Sequence, residues 1–421
     1  MTGSETHRAI RAVWTFEAGK LIARLTRIVR DVGLAEELAQ DALVAALESW
    51  PQTGVPDNPG AWLMTTAKHR ALNVLERTKM LERKHAQLGH EQPTSHGIAS
   101  ELDAALDDDV GDDLLRLLFI ACHPVLSSEA RAALTLRMRG GLTTEEIARA
   151  FLAPEPTIAQ RIVRAKKTIA DKQLPFELPR GEERAARVAS VLEVIYLIFN
   201  EGYSATAGDD LMRPGLCEDA QRLGRILAGL MPQDPEVHGL VALMDLHVSR
   251  MGTRVSPSGE PVLLLEQDRS RWDRGSIHRG LVSLERAEAL GPRGPYALQA
   301  AISACHARAE RAAETDWARI AALYADLVRQ IPSPVIELNR AVAIAMAEGP
   351  AAGLAIIDEL AADPSLASYH LLPSARGDLL VKLGRFAEAR VELERAATMT
   401  KNSRERALLL ERAAKCAAEA G

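Results

Sequence analysis

A chain of 421 residues has room for about two to four domains, and an aromatic content of only 4% beside abundant Ala, Leu, Arg and Glu excludes a sheet-rich architecture and predicts an all-α protein. The formal net charge of −6 excludes a uniformly basic nucleic-acid coat, but the signs are segregated: bases predominate from Lys68 to Lys84, and Glu101 to Asp113 carries only acids. Cys122, Cys217, Cys305 and Cys416 form no CxxC pair and no apolar run reaches bilayer length, so neither a disulfide framework, a metal, a cofactor nor a membrane is expected, and a reducing cytoplasm is.

Arg8 to Arg30 predicts a first helix, with Trp14, Leu21, Leu25 and Ile28 among its apolar positions, interrupted at Asp31 and Gly33. LAEELAQDALVAALESW predicts a second, ending at the Trp50–Pro51 boundary and apolar on more than one side. Leu38, Ala42 and Ala45 share one face; Leu43 and Leu47 lie on another, surrounded by Glu36, Glu37, Gln40 and Asp41. That pattern fits a helix buried between two neighbours as well as one offering a face to a partner.

Past the Pro- and Gly-rich PQTGVPDNPG, AWLMTTAKHRALNVLERTKMLERK predicts a third helix. Trp62 near its start, followed by Lys68, His69, Arg70 and Arg77, is the mixture of aromatic and cationic groups that suits single-stranded or melted DNA, although a solvated basic face has the same composition. His85 to Asp113 turns to Gly, Ser, Pro and the acidic LDDDVGDD, a linker. A helix begins at Leu114; Cys122–His123–Pro124 is a packed turn; Ser127 or Ser128 caps the next helix, which Gly140–Gly141 ends.

LTTEEIARAFLAPEPTIAQRIVRAKKTIADK then reads as two short helices joined by a tight turn. Thr143 and Glu146 have capping-box spacing, with Leu142 and Ile147 placed as a hydrophobic staple. Pro154 and Pro156 break the first helix, and Pro156 is tolerable in the first turn of the second. In the second helix Ile158, Ile162, Ala165 and Ile169 form one stripe, Gln160, Arg164 and Lys167 project opposite, and Thr157, Arg161 and Thr168 flank them. A helix packed on one side and offering amide and guanidinium groups on the other meets the requirement for reading the major groove, with lysine neutralising phosphate.

Together the helical module, acidic linker and helix-turn-helix resemble the extracytoplasmic function sigma factors of bacterial RNA polymerase over about the first 175 residues. AEELAQDALVAAL is similar to the helix that docks on the polymerase clamp, NPGAWLMTTAKHRALNVLER to the segment that opens and reads the minus-10 element, and RAALTLRMRGGLTTEEIARAFLAPEPTIAQRIVRAKK to the minus-35 reader. IACHPVLSSEARAAL and FLAPEPTIAQRIVRAKK resemble the subgroup with a long helical extension. The resemblance implies sigma domain 2 over residues 8–84, an acidic linker over 85–113 that would lie in the RNA channel, and domain 4 over 114–175. It implies that Glu37, Gln40, Asp41 and Val44 touch core polymerase. Trp62, Lys68, His69 and Arg70 would touch minus-10 DNA, and Thr157, Gln160, Arg161 and Arg164 minus-35 DNA. The chain departs from the family pattern at His69, where Asn is usual, at Asn73, where Asp is usual, and at Pro154, where Ser would cap the recognition helix.

The extension, residues 178–421, also reads as helical. VASVLEVIYLIFNEGYSA is apolar through Tyr196 and Phe199 and should be buried against a partner near the helix-turn-helix. Between Met251 and Asp273, EQDRSRWD fits either a loop packed on the helices or an interdomain latch. From about residue 296, Trp317, Ala351 and Phe386 recur at nearly the tetratricopeptide period of about 34 residues, with Gly384, Phe386, Ala389 and Ala396 at positions where paired helices would cross. Such repeats leave a concave face that binds proteins. No enzyme signature is present. The rival readings are a conventional helix-turn-helix regulator with a repeat-based sensor, and a repeat scaffold for protein interaction.

Overall fold

Helix-favouring residues and alanine-rich stripes dominate the chain, and the computed structural model is helical accordingly. It describes residues 3–86, 110–138, 142–151, 153–204, 211–257 and 259–419; these contain no strand, only an isolated bridge between Val255 and Pro261. They divide into two compact units, residues 1–195 and 196–421.

The first unit opens with α1 (Gly3–Val29), α2 (Val32–Thr53) and α3 (Pro59–Ala86). Asp31 starts α2 by accepting the Leu34 N–H at 2.8 Å. Ala35, Leu38, Ala39, Ala42 and Ala46 then form its buried stripe, small enough to let neighbouring helices approach. The helix does not stop at Trp50: Pro51 lies inside its exposed last turn, where one missing donor costs little, and the Gly54 N–H closes on the Trp50 carbonyl.

The next helices are α4 (Val110–Ala121), α5 (Ser128–Met138), α6 (Thr144–Ala150) and α7 (Glu155–Asp171). The acidic run is therefore not all linker. Asp113, fully buried in α4, pairs with Arg27 at 3.4 Å and Arg116 at 2.8 Å, and burial raises its carboxyl pKa against the pull of both arginines. Residues 87–109, the rest of the expected linker, lie outside the described residues.

Helix α8 (Gly181–Tyr203) carries the division between the units. Its first half belongs to the helix-turn-helix module. Arg187 donates to the Phe119 carbonyl at 2.6 Å and Ser190 to that of Cys122 at 2.5 Å, while Arg131 reaches Glu193 at 3.0 and 3.3 Å. Val191, Val194 and Ile195 are fully buried. The core of this module thus extends past residue 175, where the helix-turn-helix pattern ends. Of the expected buried stretch VLEVIYLIF, Val191, Leu192, Val194, Ile195, Ile198 and Phe199 are buried, whereas Tyr196 and Leu197 are only partly so and Tyr196 packs on the core of the second unit.

The second unit continues with α9 (Pro214–Leu230), α10 (Pro235–Val248), α11 (Arg274–Leu290), α12 (Pro295–Arg308), α13 (Trp317–Gln330), α14 (Pro334–Glu348), α15 (Pro350–Leu360), α16 (Leu371–Lys382), α17 (Phe386–Met399) and α18 (Ser403–Glu419). The three recurring positions fall at the starts of α13, α15 and α17, so each repeat is one helical hairpin. Ala389 and Ala396 are buried at the crossings. Gly384 is not: with φ +71° it forms the turn before α17, a conformation that favours glycine. The close approach is made instead by Gly353, where an added Cβ would lie 2.4 Å from the Cβ of Ala345.

The Met251–Asp273 segment is a loop packed on its own unit. Arg269 donates to the carbonyls of His306 and Ala309 at 3.0 and 3.1 Å and to the Thr315 hydroxyl at 2.9 Å. Trp272 is buried, and Asp273 caps α11.

Candidate nucleic-acid interface

The α6–α7 pair forms as its sequence dictates. The Thr143 N–H donates to Glu146 at 2.8 Å and the Glu146 N–H to the Thr143 hydroxyl at 3.1 Å, the reciprocal capping box. Pro154 occupies the N-cap of α7 with no side-chain cap bond, Pro156 brings no donor, and the Thr157 N–H donates to the Pro154 carbonyl at 2.9 Å. Ile158, Ile162, Ala165 and Ile169 are buried. Gln160, Arg164 and Lys167 are exposed opposite them, with Thr157, Arg161 and Thr168 partly covered at the flanks. Among the described residues no carboxylate forms an ion pair with Arg161, Arg164 or Lys167, so their charge faces outward uncancelled.

On α3, His69 is exposed and Lys68 partly covered. Arg70 pairs with Asp41 of α2 at 2.9 Å, joining one residue expected on DNA to one expected on polymerase. Trp62 packs edge-on against the buried Trp50, ring centroids 5.3 Å apart, so its ring serves the module's packing and only part of it is offered outward. On α2, Glu37 and Asp41 are exposed, Val44 is 49% and Leu47 38% exposed, and Leu43 is partly covered. Acidic groups thus flank the exposed aliphatic side chains of Val44 and Leu47.

Glu36 does not join that rim. It is 2% exposed and accepts from Arg137 of α5 at 2.6 Å, from Gln40 at 2.5 Å, and from Lys166 of the recognition helix itself. Arg11 of α1 pairs with Glu146 at the start of α6. These pairs tie the module of α1–α3 to the helix-turn-helix. The spacing of Glu36 to the buried Val32 and Ala39 is the sequence signal that it faces inward; nothing in the sequence marks Arg137 and Lys166 as its partners.

Comparison with known proteins finds the model of sigma-70 region 2 over residues 17–80 and that of sigma-70 region 4 over 116–169. Residues 187–288 match a family of unknown function, DUF6596. An uncharacterized protein of Rhizobium meliloti (strain 1021) is 42% identical over 91% of this chain and 90% of its own length. The ECF RNA polymerase sigma factor SigK of Mycobacterium sp. (strain KMS) is 26% identical over 37% of this chain and 77% of its own. The RNA polymerase sigma-H factor of Pseudomonas aeruginosa is 27% identical over 37% of this chain and 80% of its own.

Proposed function

Since this chain belongs to the sigma-70 family, in its extracytoplasmic function branch and with a long helical C-terminal extension, we propose that it binds core RNA polymerase through Glu37, Gln40, Asp41 and Val44 of α2 and directs it to promoters. In this reading α3 meets the minus-10 element with Lys68, His69, Arg70 and the outer part of Trp62. Helix α7 meets the minus-35 element with Thr157, Gln160, Arg161, Arg164 and Lys167. The observation that carries the reading is α7: a buried aliphatic stripe beneath an exposed amide and cation row that no described carboxylate neutralises. The test is transcription from defined promoters with purified core polymerase.

The free chain holds its two DNA readers together through Glu36. The labels of the two promoter elements set them about 25 base pairs apart, more than two turns of duplex at ~34 Å per turn. A contact from α2 to α7 through one carboxylate cannot persist while both elements are read, so polymerase binding has to part the modules. A buried acid facing two cations is costly to remove from one side, at about 3–5 kcal/mol, because the cations are left unpaired. Glu36→Ala is therefore expected to open the free protein and raise its affinity for a minus-35 duplex by about tenfold or more, read by fluorescence anisotropy at fixed salt. Unchanged affinity in a folded variant would show that the contact does not restrain the recognition helix.

The extension, in the same reading, regulates the factor from within the chain. Truncation is expected to change specific activity in transcription, and the place of the cut matters. A cut at Leu178 strips Arg187, Ser190, Val191 and Val194 from the helix-turn-helix module, and is expected to lower its thermal stability. A cut at Asn200 retains them. Equal specific activity of the longer fragment and the full chain would remove the regulatory role.

A further inference from the structure

The second unit contains a knot of positive and aromatic groups that none of the functions above uses. At the end of α10, His247 stacks near Tyr203 with ring centroids 4.9 Å apart. The guanidinium carbons of Arg254 and Arg250 lie 3.9 and 5.5 Å from the centre of the same Tyr203 ring. His306 of α12 stands edge-on to Trp317 at 5.1 Å. Arg254 also donates to the Tyr203 carbonyl, and Arg269 is committed to carbonyls and a hydroxyl. Among the described residues no carboxylate forms an ion pair with Arg250, Arg254 or Arg269, whereas Arg131 and Arg187, the buried arginines described in the first unit, each have one.

A second observation points into the same place. The Tyr203 side chain belongs to a residue 8% exposed, and its hydroxyl has no hydrogen-bond partner; the Nδ1 atoms of His247 and His306 are buried and equally unpartnered. Orphaned buried polar atoms are rare in native structures and ask for an acceptor or donor from outside the chain. Burial and the surrounding arginines hold both imidazoles well below their usual pKa, His306 at about 3, so both are neutral and able to donate from one nitrogen. As whole residues Arg250, His247, Arg254 and His306 are each only partly covered.

We propose that Tyr203, His247, Arg250, Arg254 and His306 form a binding site for a small phosphate-bearing molecule, with the guanidiniums of Arg250 and Arg254 holding its oxyanion and the Tyr203 hydroxyl and imidazoles supplying hydrogen bonds. Two guanidiniums gathered at one aromatic ring can share the oxygens of a single tetrahedral dianion. The site lies wholly in the second unit, so it stands independently of the transcription reading.

The test is isothermal titration of the full chain with inorganic phosphate and, in a parallel arm, with a small dicarboxylate, both at constant ionic strength against a sodium chloride blank. Saturable binding of phosphate at one site is expected, with at least tenfold loss in Arg250→Gln, whose guanidinium makes no hydrogen bond among the described residues, and no loss in Arg308→Gln, an exposed arginine on the same helix as His306. Phosphate-dependent broadening of the tyrosine ring signals in the NMR spectrum supplies a readout that does not depend on a variant's stability. Absence of saturable heat and of broadening, equal affinity in Arg250→Gln, or binding of the dicarboxylate in preference to phosphate would each overturn the proposal.

Discussion

Arg164→Ala is expected to reduce initiation from promoters with an intact minus-35 element by about 5- to 150-fold, the equivalent of a lost base contact of ~1–3 kcal/mol. Arg164 leaves α7 on the side opposite Ile158 and Ile162, is exposed, and has no acidic partner among the described residues, so its removal opens no cavity and breaks no ion pair. Its backbone carbonyl accepts from Thr168 at 2.8 Å, a bond that the alanine retains. The loss should therefore appear in recognition and not in stability. Promoters with scrambled minus-35 sequences give the control: the same fractional loss on both would assign Arg164 to general charge, and a loss confined to the intact element assigns it to readout. Lys167→Ala, by contrast, is expected to weaken binding evenly across sequences and to flatten its salt dependence.

Replacing Asp41 and Val44 together by arginine is expected to abolish binding to core polymerase. Both side chains are on the exposed face of α2, Val44 at 49% exposure, so the circular dichroism spectrum should be unchanged. The substitution of Asp41 reverses a charge and sets a cation beside Arg70, and that of Val44 buries a second cation in any apolar interface. Because Asp41 pairs with Arg70 at 2.9 Å, Asp41→Asn alone serves as the control for loss of that pair. An exposed pair of this kind contributes about 0–1 kcal/mol to the fold, so the single variant should be nearly as stable as the wild type. Retained polymerase affinity in the double variant would move the docking surface elsewhere.

The local architecture of both readers was legible because it rests on short-range rules. A stripe at helical spacing fixed which face of α7 is buried, Thr143 and Glu146 announced their capping box, and the recurrence of Trp317, Ala351 and Phe386 marked the helical hairpins. What the sequence concealed depends on contacts between distant segments. Glu36 looks like one more acid on the rim of α2 until Arg137 and Lys166, about a hundred residues away, are seen to meet it. Asp113 reads as linker until Arg27 buries it, and the helix-turn-helix pattern ends before α8, whose Arg187 and Ser190 complete that module's core. Gly384 reads in the sequence as a crossing residue because a small residue suits a tight turn and a close helix contact equally well; its positive φ separates them.

The most direct test of a polymerase-dependent promoter reader is a comparison of the purified chain alone and with core polymerase on the same promoter fragment. The account predicts weak, salt-sensitive binding by the chain alone, and specific transcript start sites only when both components are present. Tight, sequence-specific binding by the chain alone, with no transcript when polymerase is added, would contradict it and establish a conventional helix-turn-helix regulator instead.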